Sequence, residues 1–211
     1  MVNIETLIKN LEKNNMKAFY VKSADEIVPL VKTLIKKGDT ISCGGSVTLS
    51  QCGVAELMQS GDYNFLDRSK AANREETMDI YRRTFSCDAF FCSANAVTQN
   101  GELYNVDGNS NRTAALVFGP QKVICIVGIN KLVADVPAAV KRVKTVAAPL
   151  NAKRLNVNTP CAKTGICCVP DGDMGSGCAC ADRICANYVV SAKQRVKDRI
   201  NVIICSEELG Y

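Results

Sequence analysis

"TISCGGSVTL", residues 40–49, carries a short apolar strand into two glycines and a serine, and from there into a stretch that reads as helix. A strand that passes to a helix through a Gly-rich turn is the repeating joint of α/β folds, and the flanking segments repeat the alternation. Upstream, Ile4, Leu7, Ile8 and Leu11 recur at helical spacing, and "AFYV" (18–21) reads as a strand. Ser23 and Glu26 then form a capping box before Ile27, Leu30, Val31 and Leu34, and Gly38 closes that helix. Downstream, "VTLSQCGVAELMQ" (47–59) reads as one helix and "YNFL" (63–66) as a strand. "NREETMDIYRRTF" (73–85) reads as a helix with an Asn cap and an acidic first turn, which suits the macrodipole. "DAFFCSA" (88–94) is a buried strand, and Asn100-Gly101 is a hairpin turn between "AVTQ" and "ELYNV". "KVICIVG" (122–128) is a continuous apolar strand, and Pro137 stands near the start of the next helix. Strand-like runs return at 188–191 and 201–206. This order predicts an α/β protein with a doubly wound, mostly parallel sheet covered on both faces. Residues 1–211 are expected to form a single domain, interrupted by a Gly- and Cys-rich insertion at about 156–187.

With 211 residues the chain can bury a core without covalent staples. Its 26 basic and 21 acidic residues are dispersed along the chain, a pattern that suits small anionic ligands and argues against nucleic acid. No run of ~18 apolar residues predicts a membrane span. The opening segment lacks the features of a secretory signal, so a cytoplasmic location is expected, where disulfides are rare. Histidine is absent. Chemistry must therefore come from carboxylates, lysine, arginine, amides, thiols or a bound centre.

Two segments gather such groups. In the first, Gly44 and Gly45 let a ligand approach the backbone, and Ser46 begins a helix whose free N–H groups suit an anion. It is not a Walker A loop, and with no histidine to activate it Ser46 is a poor nucleophile. The second, "NAVTQNGELYNVDGNSNR" (95–112), places Asn95, Thr98, Glu102, Asp107, Asn111 and Arg112 around turns. Many such Asn and Asp side chains simply bond local backbone. Arg112, however, can clamp a carboxylate or phosphate, and Glu102 or Asp107 beside it can orient or deprotonate a small acid. Asn130 and Lys131 follow another strand's carboxyl end and bring a cation to the same crevice.

These motifs, with "GINKLV", "RVKTVAAPLNAKRL" and "TPCAKTGIC…DRIC", resemble the lactate-utilisation (LUD) domain family over about residues 4–211. The resemblance implies a fold like that of the sugar-phosphate isomerase and CoA-transferase superfamily. It also implies a crevice lined by Gly44, Gly45, Ser46, Asn95, Thr98, Glu102, Asp107, Asn111, Arg112, Asn130 and Lys131. Some members belong to bacterial operons for growth on L-lactate, beside iron–sulfur proteins that oxidise it. Superfamily members with a glutamyl–CoA intermediate carry their Glu in a different local motif. Glu102 is therefore read as an acid–base or orienting residue and not as a nucleophile.

Cys43, Cys52, Cys87, Cys92, Cys125 and Cys205 stand singly in apolar segments and read as small buried hydrophobes. The other six lie in "PCAKTGICCVPDGDMGSGCACADRIC" (160–185), among Gly, Asp and Pro, where packing is a poor explanation. The family resemblance selects Cys161, Cys167, Cys178 and Cys185 as metal ligands, with Cys168 and Cys180 as extras able to replace their neighbours. A [4Fe–4S] cluster is the favoured centre and zinc the alternative, with reduced or redox-switching thiols as the third reading. Its role is open between electron transfer, Lewis-acid chemistry and a structural clip.

Two functions follow as expectations. In the first, the protein acts on, or assists the redox metabolism of, a small hydroxy or keto carboxylate, with help from the cysteine-bound centre; on this view Arg112→Ala abolishes ligand binding and leaves the fold intact. In the second, it is a non-catalytic partner or electron relay of an iron–sulfur oxidoreductase, with the metal loop structural. A regulator binding CoA or a sugar phosphate rests on superfamily analogy alone.

Overall fold

Ten strands and nine α-helices follow one another in the computed structural model, which describes residues 2–211. In chain order these are α1 (Ile4–Lys13), β1 (Lys17–Val21), α2 (Ile27–Leu34), β2 (Thr40–Cys43), α3 (Val47–Gln51), α4 (Val54–Met58), β3 (Asn64–Phe65) and α5 (Arg74–Arg83). Then come β4 (Ala89–Cys92), β5 (Ala96–Thr98), β6 (Leu103–Asp107), α6 (Asn111–Val117), β7 (Lys122–Gly128) and β8 (Leu132–Val133). The chain ends with α7 (Val136–Arg142), α8 (Ala148–Arg154), α9 (Pro160–Thr164), β9 (Asn187–Ser191) and β10 (Ile200–Cys205).

Six strands form an all-parallel sheet in the order β1-β10-β7-β4-β2-β3. Its central strands are buried on both faces, which is why β7 from Val123 and β10 from Val202 read as unbroken apolar runs. One face packs Phe90, Val123, Val202 and Ile204 against Leu7 and Leu11 of α1 and Leu116 of α6. The other packs Ile41, Phe91, Ile124, Ile126 and Ile203 against α2, α3 and α4. Each such side chain contributes about 1.5–3 kcal/mol on burial. From β2 the chain moves outward to β3, then returns to β4 and proceeds through β7 and β10 the other way. The strand order therefore reverses between β2 and β4, the place where open α/β sheets bind ligands beyond their carboxyl ends.

The remaining strands leave this sheet. The Asn-Gly turn closes β5 and β6 into the expected antiparallel hairpin, with Gly101 at φ 82°. β8 joins it in parallel and β9 antiparallel, giving a second, four-stranded sheet in the order β8-β5-β6-β9. Its core of Ala96, Tyr104 and Val106 packs on Ala139, Val140, Val143 and Ala148 from the α7–α8 segment. Those two helices are joined by a widened π turn, Val143–Ala147.

Two local expectations are corrected. The helix expected over 47–59 is two short helices, because Gly53 adopts φ 73° and starts the second on a new axis. Ser23 makes no side-chain cap; a 3₁₀ turn, Ala24–Glu26, precedes α2, and only Glu26 reaches back, accepting from the Lys22 N–H. Asn73 does cap α5, accepting from the Glu76 N–H. No helix among the described residues is long and apolar enough to cross a membrane.

Candidate functional site

The loops after β2, β4 and β7, the end of β6 and the α8 helix enclose a crevice at the switch point, made of two connected chambers. The outer, of about 460 Å³, is lined by Gly45, Arg68, Tyr81, Asn109, Asn111, Ala148, Leu155 and residues 181–185 of the cysteine loop. The inner, of about 90 Å³, is lined by Ser46, Thr48, Ser93, Lys131, Arg154, Gly210 and Tyr211. Gly45, Asn95, Val106, Asp107, Arg112 and Asn151 face both.

Arg112, in the first turn of α6, is the structural pivot. Its Nη1 donates to the Ser93 carbonyl at 2.8 Å and to Asn105 Oδ1. Its Nη2 donates to Asn95 Oδ1 at 2.9 Å and to the Val106 carbonyl at 3.1 Å. Nε and Nη2 both donate to Asp107 Oδ1, at 3.0 and 2.7 Å, and Asp107 Oδ2 accepts from the Thr113 N–H. All of the guanidinium's donor positions are committed to protein acceptors. Arg112 therefore fixes the crevice wall instead of presenting a free fork to a ligand. Gly44 is required beneath it, since a Cβ there would stand 2.8 Å from the Arg112 Cγ and Cδ. Asn105 spends its oxygen on Arg112, and its Nδ2 is buried without a partner.

Lys131 is the buried amine of the inner chamber. It is 3% exposed, and its Nζ donates to Thr48 Oγ1 at 2.8 Å and Ser93 Oγ at 3.0 Å. Burial, reinforced by the positive charges of Arg142 and Arg112, pulls its pKa from 10.5 to about 7. Arg154 lies at the mouth, its Nε donating to Tyr211 Oη and to Asn151 Oδ1. Ser46 caps α3, accepting from the Leu49 N–H. Asn130 turns away from both chambers and holds residues 209–210, its Nδ2 donating to the Gly210 carbonyl.

Glu102 and Thr98 do not reach the crevice. They flank the hairpin turn and bond each other, Thr98 Oγ1 donating to Glu102 Oε2. That turn packs on Asn10, Leu11 and Asn14 of α1. Three strand steps separate Thr98 from Asn95, about 10 Å along β5, and this distance is what removes both residues from the site.

The cysteine loop lies against the same wall. Cys161, Cys167, Cys178 and Cys185 together line a mostly apolar cavity with Tyr104, Val140, Val143, Ala148, Ile184 and Tyr188. Cys168 and Cys180 do not line it, and all twelve cysteines are free. Among the described residues no group of three or more Cys, Asp or Glu side chains is set to hold a single metal ion. Burial and the neighbouring Cys161 and Cys167 push the Cys185 thiol up to about 11. Two cations order the loop. Arg183 donates to the carbonyls of Cys185, Cys178 and Gly175 and to Tyr188 Oη. Lys144, in the π turn, donates to the Val169 and Ser176 carbonyls, and its own carbonyl accepts from the Cys167 N–H. Cys185 and Ile184 face both the crevice and the thiol cavity, so the two spaces share a wall.

Sequence reading missed Thr48, Ser93, Lys144, Asn151, Arg154 and Arg183. Arg183 had a signal, an arginine between two cysteines in "CADRIC"; the two hydroxyls had none, because only the fold brings the start of α3 beside the end of β4.

The molecule is thus an α/β protein with a polar crevice at a sheet switch point and a thiol-lined cavity behind it. The chain belongs to the LUD domain family, matching that domain over residues 4–205. A DUF162 family protein of known structure from Deinococcus radiodurans shares the fold, with 14% identity and a TM-score of 0.54 over 96% of each chain. The eIF2B beta structure from Chaetomium thermophilum is similar over 54% of this chain and 43% of that one, at 18% identity and a TM-score of 0.37. No curated protein matches the chain in sequence.

Proposed function

We infer that this protein serves the redox metabolism of a small hydroxy or keto carboxylate of the lactate–pyruvate kind, bound in the crevice, with an iron–sulfur cluster on the cysteine loop behind it. The observation that carries the reading is the wall shared through Cys185 by the Lys131 crevice and the four-cysteine cavity. The inner chamber suits a three-carbon acid in charge and polarity. Arg154 and Ser46 line the chamber where the carboxylate would bind, and the Lys131 amine exchanges a proton at Nζ with the oxygen on the neighbouring carbon. Arg112, through Asn95, Asp107 and Ser93, keeps this wall rigid.

The donor set, four thiols around one mostly apolar cavity, suits a multi-iron centre. A cubane places each thiolate on a different iron, and all four thiols border that one cavity. Cys161, Cys167, Cys178 and Cys185 would hold it, with proton release from the thiols. When bound, such a group supplies one-electron transfer.

Titration calorimetry with L-lactate and pyruvate tests the acid site. Binding that weakens at least tenfold in Lys131→Met supports it; no heat from either acid, or equal binding by the variant, overturns it. A second reading, a relay docked on an iron–sulfur oxidoreductase, draws support from the exposed Ile166, Leu150 and Leu155 near the cysteine loop. Stable co-purification with such a partner from native expression would favour it.

A further inference from the structure

We propose that the Lys131 amine condenses with the carbonyl of a 2-oxo acid in the inner chamber to form an imine. The inference rests on the acid-binding reading above, and it names the oxo acid, not the hydroxy acid, as the form captured covalently.

The hydrogen bonds around Nζ carry it. Thr48 Oγ1 gives its own proton to the Leu209 carbonyl at 3.1 Å, and Ser93 Oγ gives its proton to the Ala94 carbonyl at 3.3 Å. Towards Lys131 both hydroxyls can therefore only accept, and they take two N–H groups. A neutral amine has two N–H groups and one lone pair, so this setting satisfies it completely. An ammonium would carry a third N–H with no protein acceptor in a buried place. Among the described residues no carboxylate forms an ion pair with Lys131. The charged or titratable groups around it are Arg142 from α7, Arg112 from α6, and the Cys125 and Cys92 thiols from β7 and β4. Burial and the two guanidinium groups lower its pKa to about 7, which keeps a large neutral fraction at neutral pH. Lys131 lines the same chamber as Arg154, whose Nε is already fixed by Asn151 and Tyr211.

The step balances without a further reagent. The amine lone pair adds to the carbonyl carbon, and the C=O π electrons move to oxygen. Both amine protons pass to that oxygen, the C–O bond breaks, water leaves, and a C=N bond remains.

The test is to incubate the full-length protein with pyruvate and sodium cyanoborohydride, then measure intact mass and map the modified peptide, with calorimetry on the same sample. The expected result is one reductive adduct per chain on the peptide holding Lys131. It should be missing with L-lactate and in Lys131→Arg, and it should form more slowly as pH falls below 7. Mapping on the wild type keeps the test valid if the variant misfolds. Pyruvate heat without an adduct at Lys131, or adducts scattered over exposed lysines, overturns the covalent step and leaves the acid-binding reading standing. No pyruvate heat beside L-lactate heat likewise overturns only the covalent step, and no heat from either acid overturns the reading itself.

Discussion

The guanidinium of Arg112 reaches one carboxylate oxygen of Asp107 twice, from Nε at 3.0 Å and from Nη2 at 2.7 Å. Both side chains are nearly buried, 10% and 13% exposed, and the remaining donors of the arginine go to Ser93, Asn95, Asn105 and Val106. Removing one partner of such a pair leaves the other charge buried and alone, which costs about 3–5 kcal/mol. Arg112→Ala is therefore expected to lower unfolding stability by about that amount as well as to loosen ligand binding, measured by urea denaturation. This differs from the expectation that the substitution spares the fold, and a variant of wild-type stability would restore that earlier view.

Gly44 makes the same point from below. An alanine methyl at 44 would meet the Arg112 side chain at 2.8 Å, and Arg112 cannot give way without breaking its bonds. At Gly45 the nearest atom is the end of Arg68, at 2.9 Å, a flexible side chain on the crevice rim. Gly44→Ala should cost about 1–3 kcal/mol, and Gly45→Ala clearly less. Thermal melts of the two variants check the order.

The pH dependence of stability follows from Lys131. Its amine titrates near 7 in the folded chain and at 10.5 in the unfolded one. Between these values the unfolded chain binds more protons, so stability rises with pH; the penalty is complete below about 7 and gone above 10.5. Wild type should gain on Lys131→Met by on the order of a few kcal/mol across that interval. A pH-independent difference in denaturation free energy would mean that Lys131 stays charged in the fold.

Glu102 should be dispensable for ligand. Its carboxylate bonds Thr98 in the hairpin turn beside α1, away from both chambers. Glu102→Gln is expected to leave acid affinity unchanged in calorimetry and to alter stability by about 1 kcal/mol or less.

These contrasts mark where sequence reading stops. The apolar runs of β7 and β10, the Asn73 cap and the Asn100-Gly101 turn are local signals, and local physics decides them. Gly45, Ser46, Asn95 and Lys131 follow strand ends, so knowing the sheet order is enough to gather them near one edge, while Gly44 lies beneath Arg112 and lines neither chamber. The pairing of β9 with β6 joins residues some eighty positions apart, and no local pattern announces it. Thr98 and Glu102 sit in the same polar segment as Asn95 and Asp107, yet the hairpin carries them to its far end. The self-contained bonding of Arg112 and the two hydroxyls that hold Lys131 arise only when four separate elements meet.

The most direct test of the central claim is the iron and acid-labile sulfide content of protein purified without oxygen, compared with Cys→Ser variants at Cys161, Cys167, Cys178 and Cys185. About four irons and four sulfides per wild-type chain, lost in these variants and retained in Cys168→Ser and Cys180→Ser, is the result predicted. One zinc per colourless chain, or no bound metal at all, would contradict it.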